Sequence, residues 1–340
     1  MFTKTKFFAI IFVMKQTNTP ATGNGRSPKK SFLDQPRKAV SGMIYSGAII
    51  GMLLISLVFS VTIAVLSRSL GMTVNEISQT QGYRYCSYLL YQIVYIGIIA
   101  AFMGIYKEKP AQFGWRKTHP KYYLIGIFLL FGLMFSLNYV NNWFVAFLGL
   151  FGYTMPESSL PSLAGGGIVG VLFVVAVLPA VLEETLFRGV ILEGIKDCGT
   201  VAACLLGGLL FCVFHQSPAQ TVYQFICGAA FTLLAIRAQS LLPTVMMHFL
   251  NNAVIILDAK FKFLENLPTG GQIAIYVVSA VCLLASLAWL IFAERTQSQE
   301  ESAGQNKMKR EIGPFMYPAL PGILLCVLMW VLNLANGLGG

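Results

Sequence analysis

Apolar residues recur in runs of roughly membrane-crossing length along most of this chain, at about 43–66, 85–105, 122–149, 165–195, 201–215, 220–236, 241–257, 272–293 and 316–336. A helix needs about 20 consecutive apolar residues to cross the hydrocarbon core of a bilayer. Several of the runs meet that length, so the fold class is all-α, a polytopic transmembrane helical bundle of eight or nine helices. The runs at 201–215 and 220–236 are short and flank the polar turn His215-Gln216-Ser217-Pro218, which reads as helices buried in the bundle or broken inside it. Tyr139–Gly152, with Asn141 and Asn142, is where the count divides. Hydrophobic residues are 56% of the chain and charged residues 11%, against about 45–50% and about 25% in soluble domains. Length alone would allow two soluble domains; this composition excludes them.

The net charge of +10 is a topological signal, and nucleic acid is not an expected partner. Lys4, Lys6, Lys15, Arg26, Lys29, Lys30, Arg37 and Lys38 precede the first long run, with Asp34 their only acidic neighbour. This is the positive-inside pattern of a cytoplasmic N-terminus. Lys107, Lys109, Arg116, Lys117 and Lys121 place the 106–121 loop on the same side, as Arg295, Lys307, Lys309 and Arg310 place 294–315. The expected location is integral to a membrane, the bacterial plasma membrane, with lipid as a partner. Phe7–Met14 imitates a signal-peptide core without a convincing cleavage site; it reads as an interfacial segment, or as an upstream start with Met14 the initiator.

The chain divides into a basic, disordered cytoplasmic tail over 1–42, N-terminal transmembrane helices over 43–160, a core over 161–260 and C-terminal transmembrane helices over 261–340. The polar linker 294–315 sets the last helix apart from the core. Cys86, Cys198, Cys204, Cys212, Cys227, Cys282 and Cys326 lack CxxC spacing and read as small hydrophobes. Gly165–Gly167, Gly170 and Gly207-Gly208 read as close helix contacts. Tyr83–Tyr95 reads as an interfacial aromatic belt running into a helix, and Phe113-Gly-Trp115-Arg116-Lys117 as an interfacial anchor in preference to a substrate or headgroup contact.

Glu183, Glu184 and Arg188 lie inside the run 168–192, where a charge costs roughly 2.5–3.5 kcal/mol even on insertion scales. Glu184 and Arg188 are spaced i, i+4 and can pair across one turn. Glu183 points about 100° away, leaving it as the working carboxylate. His215 and the pair His248/Asn252 stand in two further apolar helices. With about 1.5 Å of rise per residue, Glu183 and His215 each lie about 20 Å, and His248 and Asn252 about 12–18 Å, from helix ends expected on one side. The four groups therefore share a layer. Pro179 and Pro243, a turn or so before Glu183 and His248, are expected to free carbonyls and bend their helices.

Three chemistries use such groups. A carboxylate aided by histidine can take a proton from water attacking a carbonyl, with the second histidine and the amide donating to the oxyanion. Glu183, His215 and His248 are also the residue set of a catalytic zinc with an open position, although no HExxH is present. Proton or ion coupling in a transporter uses similar groups, but the chain shows no inverted repeat and only one charged helix.

Glu183-Glu184-Thr-Leu-Phe-Arg188 resembles the EExxxR motif of the CPBP (CAAX prenyl protease and bacteriocin-processing, or Abi) intramembrane protease family. Phe211-Cys-Val-Phe-His215 resembles its FxxxH motif and His248-Phe-Leu-Asn-Asn252 its HxxxN motif, in the same order. The resemblance covers roughly 165–257 and makes 161–260 a CPBP-like catalytic core. It implies a membrane endopeptidase with a cavity toward the cytoplasm, acting on a peptide or membrane-protein substrate. Glu183 with His215 would activate water, and His248 with Asn252 would stabilise the oxyanion. A divalent metal such as zinc on Glu183, His215 and His248 and a metal-free glutamate mechanism fit the resemblance equally well. A non-catalytic bacteriocin-immunity or scaffold protein is the alternative.

Overall fold

A computed structural model describes residues 38–106, 109–155, 160–294 and 312–338. The tail residues before Lys38, and Lys107, Arg295, Lys307, Lys309 and Arg310, lie outside the described residues. Ten helices and no strand are found among the described residues: α1 Lys38–Leu70, α2 Val74–Ser78, α3 Gln81–Tyr106, α4 Lys121–Gly149, α5 Gly167–Cys198, α6 Thr200–Phe214, α7 Pro218–Ala238, α8 Leu242–Phe261, α9 Thr269–Ala293 and α10 Gly313–Leu338. All but α2 and α6 are long and apolar enough to span a bilayer. Leu57 on α1 and Leu284 on α9 are 61% and 69% exposed. Such outward apolar surface suits lipid rather than water.

Helix α1 starts before the apolar run does. The reason is packing: Ala39, Val40 and Ser41 are buried, Ser41 Oγ donates to Val190 O (2.8 Å), and Lys38 pairs with Asp197 (2.9 Å). Helix α4 runs unbroken through Asn141, whose amide bonds Ala219 O (3.0 Å) and Tyr223 N (3.3 Å). The asparagine that looked like a break in the span instead pins the start of α7.

Side chains form two principal apolar cores. One gathers Tyr45, Tyr95, Leu186, Phe187, Phe214 and Phe315 from α1, α3, α5, α6 and α10. The other gathers Leu129, Leu133, Phe231, Leu234, Met247 and Leu290 from α4, α7, α8 and α9. The hairpin of α6 and α7 is tight because a Cβ at Gly228 would sit 2.9 Å from Gly208 Cα.

Four sequence expectations change. Gly165 and Gly166 face open space, and Gly165 instead supplies a turn at φ +53°, whereas Gly170 and Gly208 do pack closely. Tyr95 is buried and Tyr85 bonds Gly167 O (3.2 Å), so these two members of the tyrosine belt face the bundle, whereas Tyr91 is exposed. Pro243 lies in the first turn of α8, where its missing N–H costs nothing and bends nothing. Helix α10 is not set apart: Trp330 Nε1 donates to Thr221 Oγ1 (2.8 Å), and Asn333 Nδ2 to the carbonyl of Gln216 (2.8 Å), next to His215. A polar linker fixes how far the next helix can reach, not where it packs.

Glu294, just beyond α9, accepts from Lys121 Nζ (2.7 Å), Tyr122 OH (2.8 Å) and Trp289 Nε1 (2.9 Å), clasping α4 to α9. Burial pushes its carboxyl up, but these donors and the lysine charge outweigh burial and hold it below its ordinary 4.5. A depressed carboxylate stabilises the fold above its unfolded pKa and stops doing so as pH falls through the folded value. The melting temperature of Glu294→Gln should therefore lie below wild type at about pH 7 and converge with it on acidification below pH 4.5. A gap of equal size at about pH 3 would remove the clasp from this account.

Candidate functional site

Helix α5 carries the site because its winding changes around the glutamates. Wide π-helical turns at Leu172–Val177 and Thr185–Ile191 bracket the α-helical segment Leu178–Glu184. Such turns displace the backbone ladder and often mark functional positions. Pro179 has no N–H to donate, and the carbonyl one turn earlier, Val175 O, accepts from Asn252 Nδ2 (2.9 Å). The carbonyl freed by proline is thus satisfied from α8.

Glu184 is fully buried and one oxygen carries two contacts. Its Oε1 lies 2.9 Å from Arg188 Nη1 and 2.9 Å from His248 Nδ1. Arg188 also donates to Gly228 O (3.1 Å). Its guanidinium stands over the rings of Phe211 (4.4 Å) and Phe231 (5.3 Å), which belong to the two different cores. The ion pair therefore sits at the seam of the bundle. Phe211 and Phe231 also flank the His248 ring, at 6.3 and 6.5 Å.

Glu183 is half-buried and has no hydrogen-bond or ion-pair partner among the described residues. His215 and Glu183 are close enough for their charges to interact, and so are His215 and His248. His215 Nδ1 lies 2.7 Å from Phe211 O. A carbonyl only accepts, so Nδ1 carries a proton there and Nε2 is left with a lone pair. His248 differs: its Nδ1 donates to a carboxylate, so its Nε2 can donate only when the ring is an imidazolium.

Asn252 is oriented by a chain of hydrogen bonds. Tyr223 OH donates to Asn251 Oδ1 (2.7 Å), and Asn251 Nδ2 to Asn252 Oδ1 (3.0 Å). With one Nδ2 proton on Val175 O, Asn252 has one donor left. The direct link between Glu184 and His248 spans 64 residues of sequence, a pairing that no helical spacing rule reveals. Tyr223 gave no signal in the sequence at all.

The loop before α4 also differs from expectation. It folds inward as a strap: Phe113 is 3% exposed, and Trp115 Nε1 donates to Thr185 Oγ1 (3.0 Å), beside Glu184. Gly114, at φ +105°, makes the turn, and its carbonyl accepts from Leu241 N (2.9 Å). Arg116 Nε reaches Gln239 O, and Thr118 Oγ1 donates to Ala238 O (2.7 Å). The segment read as a lipid anchor is thus tied to α5 and the α7–α8 turn.

Among the described residues, no three His, Cys, Asp or Glu side chains stand where they could hold a metal ion. Glu183, His215 and His248 as arranged do not fit a three-ligand site.

Arg188→Ala should destabilise the protein by about 3–5 kcal/mol, because Glu184 would remain buried with an uncompensated charge. Thermal unfolding in detergent measures this; a melting temperature equal to wild type would rule out a structural ion pair.

A family model described as Rce1-like, type II CAAX prenyl endopeptidase, matches residues 165–254. No curated protein and no solved structure gives a significant match. The matched segment starts at the glycine turn before α5 and ends just past Asn252 in α8, so it contains all three motifs and agrees with the resemblance they carry.

Proposed function

We propose that this integral membrane chain, with an Rce1-like segment over 165–254, is an intramembrane endopeptidase in which Glu183 and His215 activate water. The observation that carries the reading is the contrast between neighbouring carboxylates. Glu184 is consumed by Arg188 and His248, whereas Glu183 is half-buried, unpaired and within charge range of a histidine. An unpaired carboxylate at membrane depth is expensive unless it has a chemical use.

In this mechanism water attacks the scissile carbonyl carbon and gives its proton to Glu183, assisted by the Nε2 lone pair of His215. Charge builds on the carbonyl oxygen, where protonated His248 and the remaining N–H of Asn252 donate to it. Glu184 fixes the orientation of that ring by lying against its other nitrogen. When the intermediate collapses, the C–N bond breaks and the proton held at Glu183 passes to the leaving nitrogen. A peptide or membrane protein is the substrate, consistent with a catalytic layer buried among spanning helices.

The basic residues of the N-terminal tail and of the 106–121 loop assign the strap end of the bundle to the cytoplasm. A substrate approaching from that side passes the strap at Thr185. The N-terminus is cytoplasmic in the same assignment.

Glu183→Gln should abolish cleavage while leaving the protein folded in the membrane. Peptide-terminus labelling of membranes from cells carrying wild type or Glu183→Gln reads this out. New termini found only with wild type establish proteolysis and name the substrate. Identical termini, with a cellular phenotype shared by both proteins, would replace the protease with a binding or scaffold role.

A further inference from the structure

Helix α3 packs against the segment of α5 that carries the glutamates, and two polar residues lie on one of its buried faces, Tyr95 inside the first core and Gln92 beside it. Tyr95 and Gln92 are spaced i, i+3 and share one face. Tyr95 is 3% exposed, its ring lies 6.0 Å from that of Phe214, and it is close enough to Glu183 to feel its charge. That places the face between the working carboxylate and the end of α6, where His215 follows Phe214. Helix α3 packs directly on Leu178–Glu184.

Gln92 is one turn from Tyr95 and 5% exposed, yet its Oε1 is buried with no hydrogen-bond partner. No hydrogen bond holds its amide nitrogen among the described residues either. The other carboxamides near the site, Asn141, Asn251 and Asn252, all have partners; Glu184 Oε2 and Arg188 Nε are orphaned atoms too, but each belongs to a side chain held by other bonds. A buried carboxamide without partners destabilises a fold, and more so where water is scarce. An apolar side chain of the same volume would pack there without that penalty. The position is therefore explained by something that binds to the amide rather than by the resting fold.

The chemistry of the vacant groups defines the occupant. A primary carboxamide presents one acceptor and one donor side by side. The N–H and C=O of a single residue in an extended peptide point to the same side and match that pair, as they do across an antiparallel ladder. We propose that Gln92 is a substrate-binding residue, which accepts from the N–H and donates to the C=O of one residue of the bound peptide. The proposal rests on the endopeptidase reading, since it is a peptide that the amide would hold.

The test uses full-length protein in detergent and a fluorescent farnesylated peptide with three residues after its prenylated cysteine, made with an uncleavable bond. Gln92→Met should raise the dissociation constant about tenfold, as expected for two neutral hydrogen bonds. It should do so equally with Glu183 intact or as Glu183→Gln, and its melting temperature should match or exceed wild type. An unchanged dissociation constant, or no binding by wild type, overturns the proposal. So does a melting temperature that falls with affinity, which would make Gln92 a structural contact. The cleavable peptide separates the two ideas: wild type leaving it intact while Gln92→Met still binds weakly would sink the protease reading and keep the binding residue.

Discussion

A single carboxylate oxygen organises the interior of this bundle. Glu184 Oε1 meets a guanidinium from its own helix and an imidazole from α8, both at 2.9 Å. Ions are poorly solvated among apolar helices, so each of the three groups depends on the other two. Through Arg188 the contact extends to Gly228 O on α7, and through its ring contacts to both apolar cores. The same contact decides chemistry. It occupies Glu184 with two partners, leaves Glu183 without one among the described residues, and fixes which nitrogen of His248 faces away from the carboxylate.

A second set of contacts solves the problem created by irregular winding in α5. A proline and two wide turns place the glutamates but leave a backbone carbonyl without its helical donor. Asn252 supplies that donor, and Asn251 and Tyr223 hold Asn252 in the orientation the bond requires. Local disorder in the helical ladder and order in the side chains are two sides of one arrangement. Rigid supports of this kind are what hold a catalytic group to within a fraction of an ångström.

Much of this was legible from residue types and spacing. Hydrophobic run length located the spanning helices, and i, i+4 spacing paired Glu184 with Arg188. Depth counting put Glu183, His215 and His248 in one layer. What spacing could not reveal was contact between helices distant in sequence: His248 on Glu184, Tyr223 on Asn251, Asn333 on Gln216. The strap was misread because aromatic and basic residues carry the same signature at a lipid interface as in a loop that folds inward. Gln92 was invisible, since one amide in a tyrosine-rich helix breaks no period.

The return of α10 to the turn after His215 has a consequence in time. Trp330 and Asn333 hold Thr221 and Gln216 in place, and they follow those residues in the chain by 109 and 117 positions. During synthesis the three motifs enter the membrane well before the helix that braces one of them. The neighbourhood of His215 therefore stays unfinished until translation has passed Asn333. A bundle assembled in this order reaches its braced form only after the long stretch of chain between His215 and Asn333 has been made.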